Sequence, residues 1–169
     1  MAMELGYFMA RLRHNLDVIR TLLGGVDPEQ ARWKPTPQQW SILEILAHLV
    51  DEEREDFPAR IAATLEGRTW SGIDPEGWVR ERHYNSQDLQ ETLQGFVKER
   101  EKSLSWLESL KDPDWETAHE HPRGKLKAGD LLASWLAHDY LHIRQLTQRH
   151  FQHGVEGSKP YSTEYAGSW

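Results

Sequence analysis

The sequence predicts an all-α protein built as one four-helix bundle. Four long segments repeat apolar residues every three or four positions, the spacing of a helix that buries one face. No stretch sustains the two-residue alternation of a half-buried β-strand. The 169 residues suffice for one substantial core but not for two. We therefore expect a single domain over residues 1–169, with helices packed on helices.

The first predicted helix carries an apolar stripe from Leu5 to Leu23, and the Gly24-Gly25 pair ends it. The second begins at Ser41, because S-x-x-E directly before an apolar run is the pattern of a capping box. It lasts to about residue 67. A bend is predicted at Pro58, which removes one backbone donor.

The third predicted helix has Ser86 as its N-cap and stops before Pro113. The fourth runs from about Lys127 to Gly154, a candidate C-cap. Residues 153–169 form a turn-rich C-terminal tail. Residues 67–86 make a connection between the second and third helices that is far longer than the usual ~2–8 residues. Extended, it could span roughly 60 Å, enough to cross along the whole bundle.

Composition excludes several classes of function. The formal net charge of −7 and the pI of about 5.7 argue against a nucleic-acid partner, which would need a basic face. No apolar run approaches the ~20 residues of a membrane span, and the N-terminus lacks the pattern of a signal peptide. Cysteine is absent, which excludes disulfides and thiolate ligands and fits a cytoplasmic protein.

Two histidines, His138 and His142, stand on the edge of the apolar stripe of the fourth helix. At ~100° per residue they lie within ~40° of each other, so both imidazoles can reach one metal ion. The alternative is a pair of hydrogen-bonded core histidines. Asp139 and Gln145 flank the pair and could orient ligands or substrate, although Asp139 could equally face outward.

A third candidate ligand is His48, on the shoulder of the stripe of the second helix. Two imidazoles from one helix and one from another make a three-histidine site with an open position, the arrangement of a catalytic metal. Glu52, one turn later, is the candidate catalytic residue, either as a proton acceptor or as a group that orients a ligand. A solvated surface glutamate is the alternative. Surface or loop positions are predicted for the other histidines: His14, His83, His119, His121, His150 and His153.

The segments TPQQWSILEILAHLVDEE and LAHDYLHIRQL together resemble the DinB-like (YfiT-type) superfamily of metal-binding four-helix bundles. The resemblance covers nearly the whole chain and implies that His48, His138 and His142 bind the metal. It also implies an up-down-down-up topology. Counting positions along the helices instead favours parallel second and fourth helices, because His48 and His138 both lie early in theirs.

Characterised members of this superfamily use their metal with a low-molecular-weight thiol such as bacillithiol, mycothiol or glutathione, as S-transferases or thiol-dependent isomerases. The resemblance thus implies a divalent metal (zinc or nickel), a small electrophilic substrate and a homodimer. A thiol cofactor could present carboxylates to Arg80, Arg82 or Arg123. The predicted partners include neither nucleic acid nor membrane.

Two other readings compete with the thiol-dependent enzyme. HDYLH is one residue type away from the H-E-x-x-H of zinc proteases, which makes a metal-dependent hydrolase an alternative. Aspartate is one methylene shorter than glutamate, so it would hold a water poorly. The remaining alternative is a non-catalytic bundle whose role is metal binding or interaction.

Overall fold

Four helical segments form the bundle in the computed structural model, which describes residues 4–121, 124–167 and 169. The second of them is divided by a π-helical turn, and shorter elements lie in the connections. A two-stranded antiparallel hairpin precedes the last helix. The elements are α1 (Leu5–Leu23), α2 (Pro28–Arg32), α3 (Ile42–Asp51), the π-helical turn (Glu52–Asp56), α4 (Phe57–Leu65), α5 (Pro75–Glu81), a 3₁₀ turn (Tyr84–Ser86), α6 (Leu89–Ser109), β1 (Ala118–His121), β2 (Gly124–Lys127), α7 (Ala128–Gly157) and a second 3₁₀ turn (Glu164–Ala166).

Two apolar clusters, one towards each end of the bundle, give the directions of the helices. One contains the later part of α1, the start of α3, the start of α6 and the later part of α7: Leu16, Ile19, Leu23, Ile42, Leu46, Leu89, Phe96 and Leu146. The other contains the earlier part of α1, α4, the end of α6 and the first half of α7: Leu12, Ile61, Leu104, Leu107, Leu132 and Trp135. Helices α1 and α7 therefore run one way, and α3–α4 and α6 run the other. The predicted all-α bundle is confirmed, and its order is up-down-down-up.

The alternative of parallel second and fourth helices is wrong. Helix α7 has 30 residues and is longer than α3 through α4, so positions counted from the two N-termini do not correspond in space. His138 and His142 lie near the middle of α7, whereas His48 lies in the first third of its segment.

The predicted capping box opens α3 as expected. The Glu44 backbone N–H donates to Ser41 Oγ at 3.1 Å, and the Ser41 N–H donates to the Glu44 carboxylate at 2.8 Å. The irregularity expected near Pro58 is the π-helical turn just before it. Proline cannot donate to a carbonyl one turn earlier and its ring collides with that carbonyl, so a wider turn relieves the conflict.

Two predicted element ends and one predicted loop differ from the structure. The N-cap of α6 is Asp88 rather than Ser86, and the Asp88 carboxylate accepts from two backbone N–H groups of the first turn. Helix α7 continues through Gly154 to Gly157, so the turn-rich tail begins at Ser158. His119 and His121, for which a loop was predicted, lie in β1 of the hairpin; the 67–86 connection is long, as predicted, and holds α5 and a 3₁₀ turn.

A buried ionic network ties the four helical segments together at the centre of the bundle. Arg100 of α6 is fully buried and donates to the Leu12 carbonyl of α1 at 3.1 Å. It also donates to Glu53 of the π-helical turn at 2.9 Å and to both carboxylate oxygens of Asp139 on α7. Trp135 Nε1 donates to the same Glu53 oxygen at 2.8 Å. Because an unpaired buried charge is costly, this network fixes how the helices register against one another.

The start of the 67–86 connection is anchored on the bundle by Trp70. Its ring stacks on His119 of the hairpin with centroids 4.2 Å apart, and the Arg60 guanidinium lies 4.4 Å from its centre. Trp70 Nε1 also donates to Thr64 Oγ1 at 3.0 Å. Within the described ranges, every helix is too short or too polar to cross a lipid bilayer.

Candidate metal centre

Three imidazoles converge where α3 faces α7. His48 Nε2 lies 3.3 Å from His138 Nε2, and His138 Nε2 lies 3.0 Å from His142 Nε2. These are the three histidines that the sequence singles out, and they form a group that could hold a metal ion. The i, i+4 spacing on α7 supplies two of the rings, and the antiparallel α3 brings the third opposite them.

The separations suit one metal ion. With metal–nitrogen distances of ~2.0–2.1 Å, a tetrahedral ion places its ligand nitrogens roughly 3.3–3.4 Å apart. The two nitrogen–nitrogen distances of 3.3 and 3.0 Å are close to that value, so an ion could bind with small ring movements. Three imidazoles leave one tetrahedral position for a further ligand.

The three rings are neutral without a metal. Burial lowers the pKa of His48 to about 2 and that of His138 to about 3, and the neighbouring imidazoles add to both effects. Burial also lowers the pKa of His142. Neutral imidazoles offer lone pairs, which is the protonation state a metal requires.

Two polar side chains lie behind the rings. His142 Nδ1 lies 2.8 Å from Gln145 Oε1; an amide oxygen only accepts, so the proton sits on Nδ1 and the Nε2 lone pair faces the cluster. His48 Nδ1 lies 3.6 Å from Glu52 Oε1, too far for a hydrogen bond, and neither of these buried atoms has a hydrogen-bond partner within the described part of the chain. A metal on Nε2 would place a proton on the His48 Nδ1, which Glu52 could then accept. This unsatisfied pair fits a metal-binding role for His48.

Glu52 is buried, so the solvated-surface alternative is wrong. Burial, together with the nearby Asp56 carboxyl, raises the pKa of Glu52 to about 9. Asp56 in turn pairs with Arg60, whose Nε lies 2.5 Å from Asp56 Oδ1. A series of polar side chains thus runs from His48 along α4 towards Trp70: Glu52, Asp56 and Arg60.

Asp139 neither faces outward nor binds a histidine ring. It is fully buried and takes part in the Arg100 network, where Asn15 also donates to it at 3.1 Å. Because both its oxygens accept from Arg100, Asp139 holds α7 in place and thereby sets the position of the histidines on either side of it. The sequence did contain a signal for Arg100, which interrupts the apolar stripe of α6 between Phe96 and Leu104.

Aromatic rings border the histidine cluster on two sides. Trp40 lies edge-on to His48 with centroids 5.0 Å apart, and the Phe57 centroid is 5.1 Å from that of His138. His48 and His142 are buried, whereas His138 is half-buried. A cavity of about 670 Å³ lies near Phe8 and Trp115, and no histidine lines it.

The other histidines lie apart from this cluster. His14 and His83 are exposed, as predicted. His119 and His121 are half-buried in the hairpin rather than in a loop. His150 and His153 are also half-buried: His150 Nδ1 is 3.1 Å from Gln30 Nε2, and His153 packs edge-on against Trp33.

The three candidate arginines differ in their surroundings. Arg82 is engaged with Asp51 and Glu55 and lies over the Trp78 ring. Arg80 lines a separate cavity near Trp40. Arg123 lies outside the described residues.

The fold is a helical bundle with up-down-down-up order, and its three-histidine cluster could hold a metal ion. Comparison with known protein families shows which family has this combination. Residues 11–146 match the sequence model of the DinB superfamily, and the chain belongs to that family. The solved structure of YfiT from Bacillus subtilis is similar, with a TM-score of 0.79 at 15% identity, over 90% of this chain and 91% of that one. YfiT is described as a probable metal-dependent hydrolase with an unusual four-helix bundle topology. No curated protein matches the sequence.

Proposed function

We propose that this protein is a metal-dependent enzyme that joins a low-molecular-weight thiol to a small electrophile, as an S-transferase or thiol-dependent isomerase. His48, His138 and His142 would bind one divalent ion, zinc or nickel. The convergence of three neutral Nε2 atoms, with the measured pairs 3.0 and 3.3 Å apart, carries the proposal.

The donor set favours an anionic further ligand. Neutral imidazoles cancel none of the charge of a divalent ion, which when bound would lower the pKa of a thiol and hold the thiolate. The chain has no cysteine, so the sulfur must come from a separate molecule. In a transfer, the thiol releases its proton to solvent, its sulfur forms a bond to an electrophilic carbon, and the leaving group departs with the electron pair of the bond that breaks.

Among the residues of the chain, Glu52 is best placed to orient His48. Its carboxyl lies on the Nδ1 side of the ring, whereas Nε2 faces the other histidines. A group behind the ring is badly placed to take a proton from a ligand in front of it, so we assign Glu52 a positioning role. Trp40 and Phe57 would limit the access of water to the reacting atoms.

The proposal is tested with protein purified without a histidine tag. Elemental analysis should find about one zinc or nickel per chain in the wild type and little in the His142→Ala variant. Metal-loaded protein should then consume bacillithiol, mycothiol, glutathione or coenzyme A in the presence of a generic electrophile faster than its His138→Ala variant. Stoichiometric metal in both proteins of the first experiment would remove His142 from the site, and equal thiol consumption in the second would reject the transferase.

Hydrolysis is the second candidate, because an open metal position suits hydroxide as well as thiolate and YfiT is described as a probable metal-dependent hydrolase. The HDYLH pattern does not strengthen it, since Asp139 is held by Arg100 and is not free to act as a base. Metal-dependent release of product from ester or amide substrates without added thiol would favour this candidate. Metal bound without either activity would favour the non-catalytic alternative.

For assembly we propose a homodimer formed through α7. Ala133, Ala137 and Leu141 follow one another at i, i+4 and i+8 on this helix and are exposed, Leu141 to 53%. An exposed apolar line on the longest helix is typical of an interface. If α7 packs against α7 of a second copy, the same apolar residues of both copies are buried, as a two-fold symmetric interface requires.

A further inference from the structure

A second cavity, of about 510 Å³, lies between the segment that leads into α3 and the segment formed by α5 and the following 3₁₀ turn. Trp40 lines this cavity and also lies edge-on to His48, so one ring borders both the cavity and the metal centre. Ser41 Oγ donates to Asn85 Oδ1 at 2.6 Å and fixes the two walls against each other.

The charged side chains of this cavity are not all neutralised by one another. Lys34 pairs with Glu44 at 3.0 Å. Arg80 and Glu76 also line the cavity, and neither forms an ion pair with any residue that the structure describes. They lie one turn apart on α5, and both are exposed to solvent. The cavity therefore has one guanidinium and one carboxylate, one turn apart on α5, that no ion pair neutralises within the described residues.

His83 adds a donor at the same cavity. It adopts the left-handed backbone conformation, with φ of 49°, between α5 and the 3₁₀ turn. Such a conformation is uncommon for a residue other than glycine, and it turns the chain so that residues 76–86 close one side of the cavity.

A ligand bearing only carboxylates would be attracted by Arg80 and repelled by Glu76. A ligand with an ammonium next to a carboxylate matches both. We infer that this cavity is a subsite for the amino-acid group, ammonium and carboxylate together, of the molecule that reaches the metal centre past Trp40. Arg80 takes the carboxylate, Glu76 takes the ammonium, and the inference rests on the proposed function in assigning that molecule to the metal site.

The probe is S-methylglutathione, which carries an amino-acid group at its glutamyl end and cannot form a thiolate. Binding is followed by isothermal titration calorimetry and by tryptophan indole signals in NMR, with metal-loaded and metal-free protein. Wild-type protein should bind the probe, and Arg80→Gln and Glu76→Gln should each weaken it about tenfold or more, the usual effect of losing a charge-assisted contact. N-acetylation or esterification of the probe should weaken binding to the wild type similarly.

Arg13→Gln is the matched control, because Arg13 is exposed on α1, remote from this cavity. Its affinity for the probe should equal that of the wild type. No binding by wild-type protein, equal affinity in the Arg80→Gln variant, or equal affinity for the N-acetylated probe would each overturn the subsite. Since the probe has no thiol and the readout is binding, a failed thiol-transfer assay leaves this result intact, and the converse also holds.

Discussion

Arg100 and Asp139 form a two-point ion pair at the centre of the bundle. Nη2 lies 2.7 Å from Oδ1 and Nη1 lies 2.8 Å from Oδ2, and both side chains are fully buried. Asp139 stands between the two metal-site histidines of α7 in the sequence. The contact that fixes the register of α6 against α7 therefore also fixes where the imidazoles of His138 and His142 lie.

Replacement of Arg100 by Met should strongly destabilise the fold. Methionine fills much of the volume but leaves the Asp139 and Glu53 carboxylates buried without their cation. Breaking a buried pair in this way costs about 3–5 kcal/mol of unfolding free energy. Denaturant unfolding measures it, with Arg13→Met as the exposed control; a loss below ~1 kcal/mol would show that the network is not needed for stability.

Gln145→Leu should weaken metal binding without unfolding the protein. The change removes the acceptor that keeps the proton of His142 on Nδ1, and loss of such a partner typically costs 10–100-fold in metal affinity. Competition with a chelator gives the affinity, and circular dichroism checks the fold. Gln148→Leu, on the same helix, is the control. Equal affinities in the two variants would show that Gln145 does not hold the ring.

The start and end of a helix could be predicted where neighbouring residues alone determine them. The Ser41–Glu44 capping box needs only neighbouring residues, and it appears as predicted. Ser86 and Asp88 are equally good caps two residues apart, so only the 3₁₀ turn that occupies Ser86 decides between them. The hairpin escaped prediction because its strands have four residues each and are largely exposed, without an alternating apolar face.

The candidate site was predictable from spacing on one helix together with family resemblance. Which residues of α7 lie opposite His48 could not be predicted, because this depends on how far α7 extends beyond the ends of α3 and α4. Glu52 is buried at the start of the π-helical turn, where the 3.6-residue period used to assign faces no longer applies. Sequence alone cannot distinguish such a glutamate from one on the solvent face of a regular helix.

Below pH 6.5, His48 and His138 should make acid destabilise the metal-free protein, whereas the raised pKa of Glu52 acts in the opposite direction and offsets the effect of about one histidine. The folded-state pKa values of His48 and His138 are about 2 and about 3, below the ordinary 6.5, so beneath pH 6.5 the unfolded chain takes up protons that the folded chain does not. Unfolding free energy should therefore fall by about 1.4 kcal/mol per histidine for each pH unit below 6.5, and should be unaffected by these groups above it.

Thermal melting of metal-free protein between pH 5 and 8 measures this effect. A His48→Gln, His138→Gln double variant should show a shallower dependence, whereas the exposed His14→Gln should follow the wild type. Identical slopes in the double variant and the wild type would mean that these rings are not buried in their neutral form.

Leu141→Glu should convert the proposed homodimer into a monomer. A charge in the middle of the exposed apolar line of α7 would have to be desolvated at the interface. Sedimentation of wild type and variant tests this, with Gln94→Glu on the exposed side of α6 as a control that adds the same charge. Wild-type protein that stays monomeric at high concentration would reject the dimer.

Glu52→Gln should lower metal affinity only modestly if Glu52 positions His48, because the amide oxygen can still accept from Nδ1. Glu52→Leu removes the acceptor and should lower affinity by ten- to a hundred-fold, as expected for a partner of a metal-binding histidine. Glutamine has the shape of glutamate, whereas leucine is one heavy atom smaller and branches at Cγ, so circular dichroism of both variants checks that a difference in affinity reports the hydrogen bond rather than packing. If Glu52 instead accepts the proton of the thiol, both variants should bind metal like the wild type and lose turnover equally. Chelator competition together with thiol consumption on metal-loaded protein separates the two roles, and equal metal affinity in all three proteins would contradict the positioning assignment.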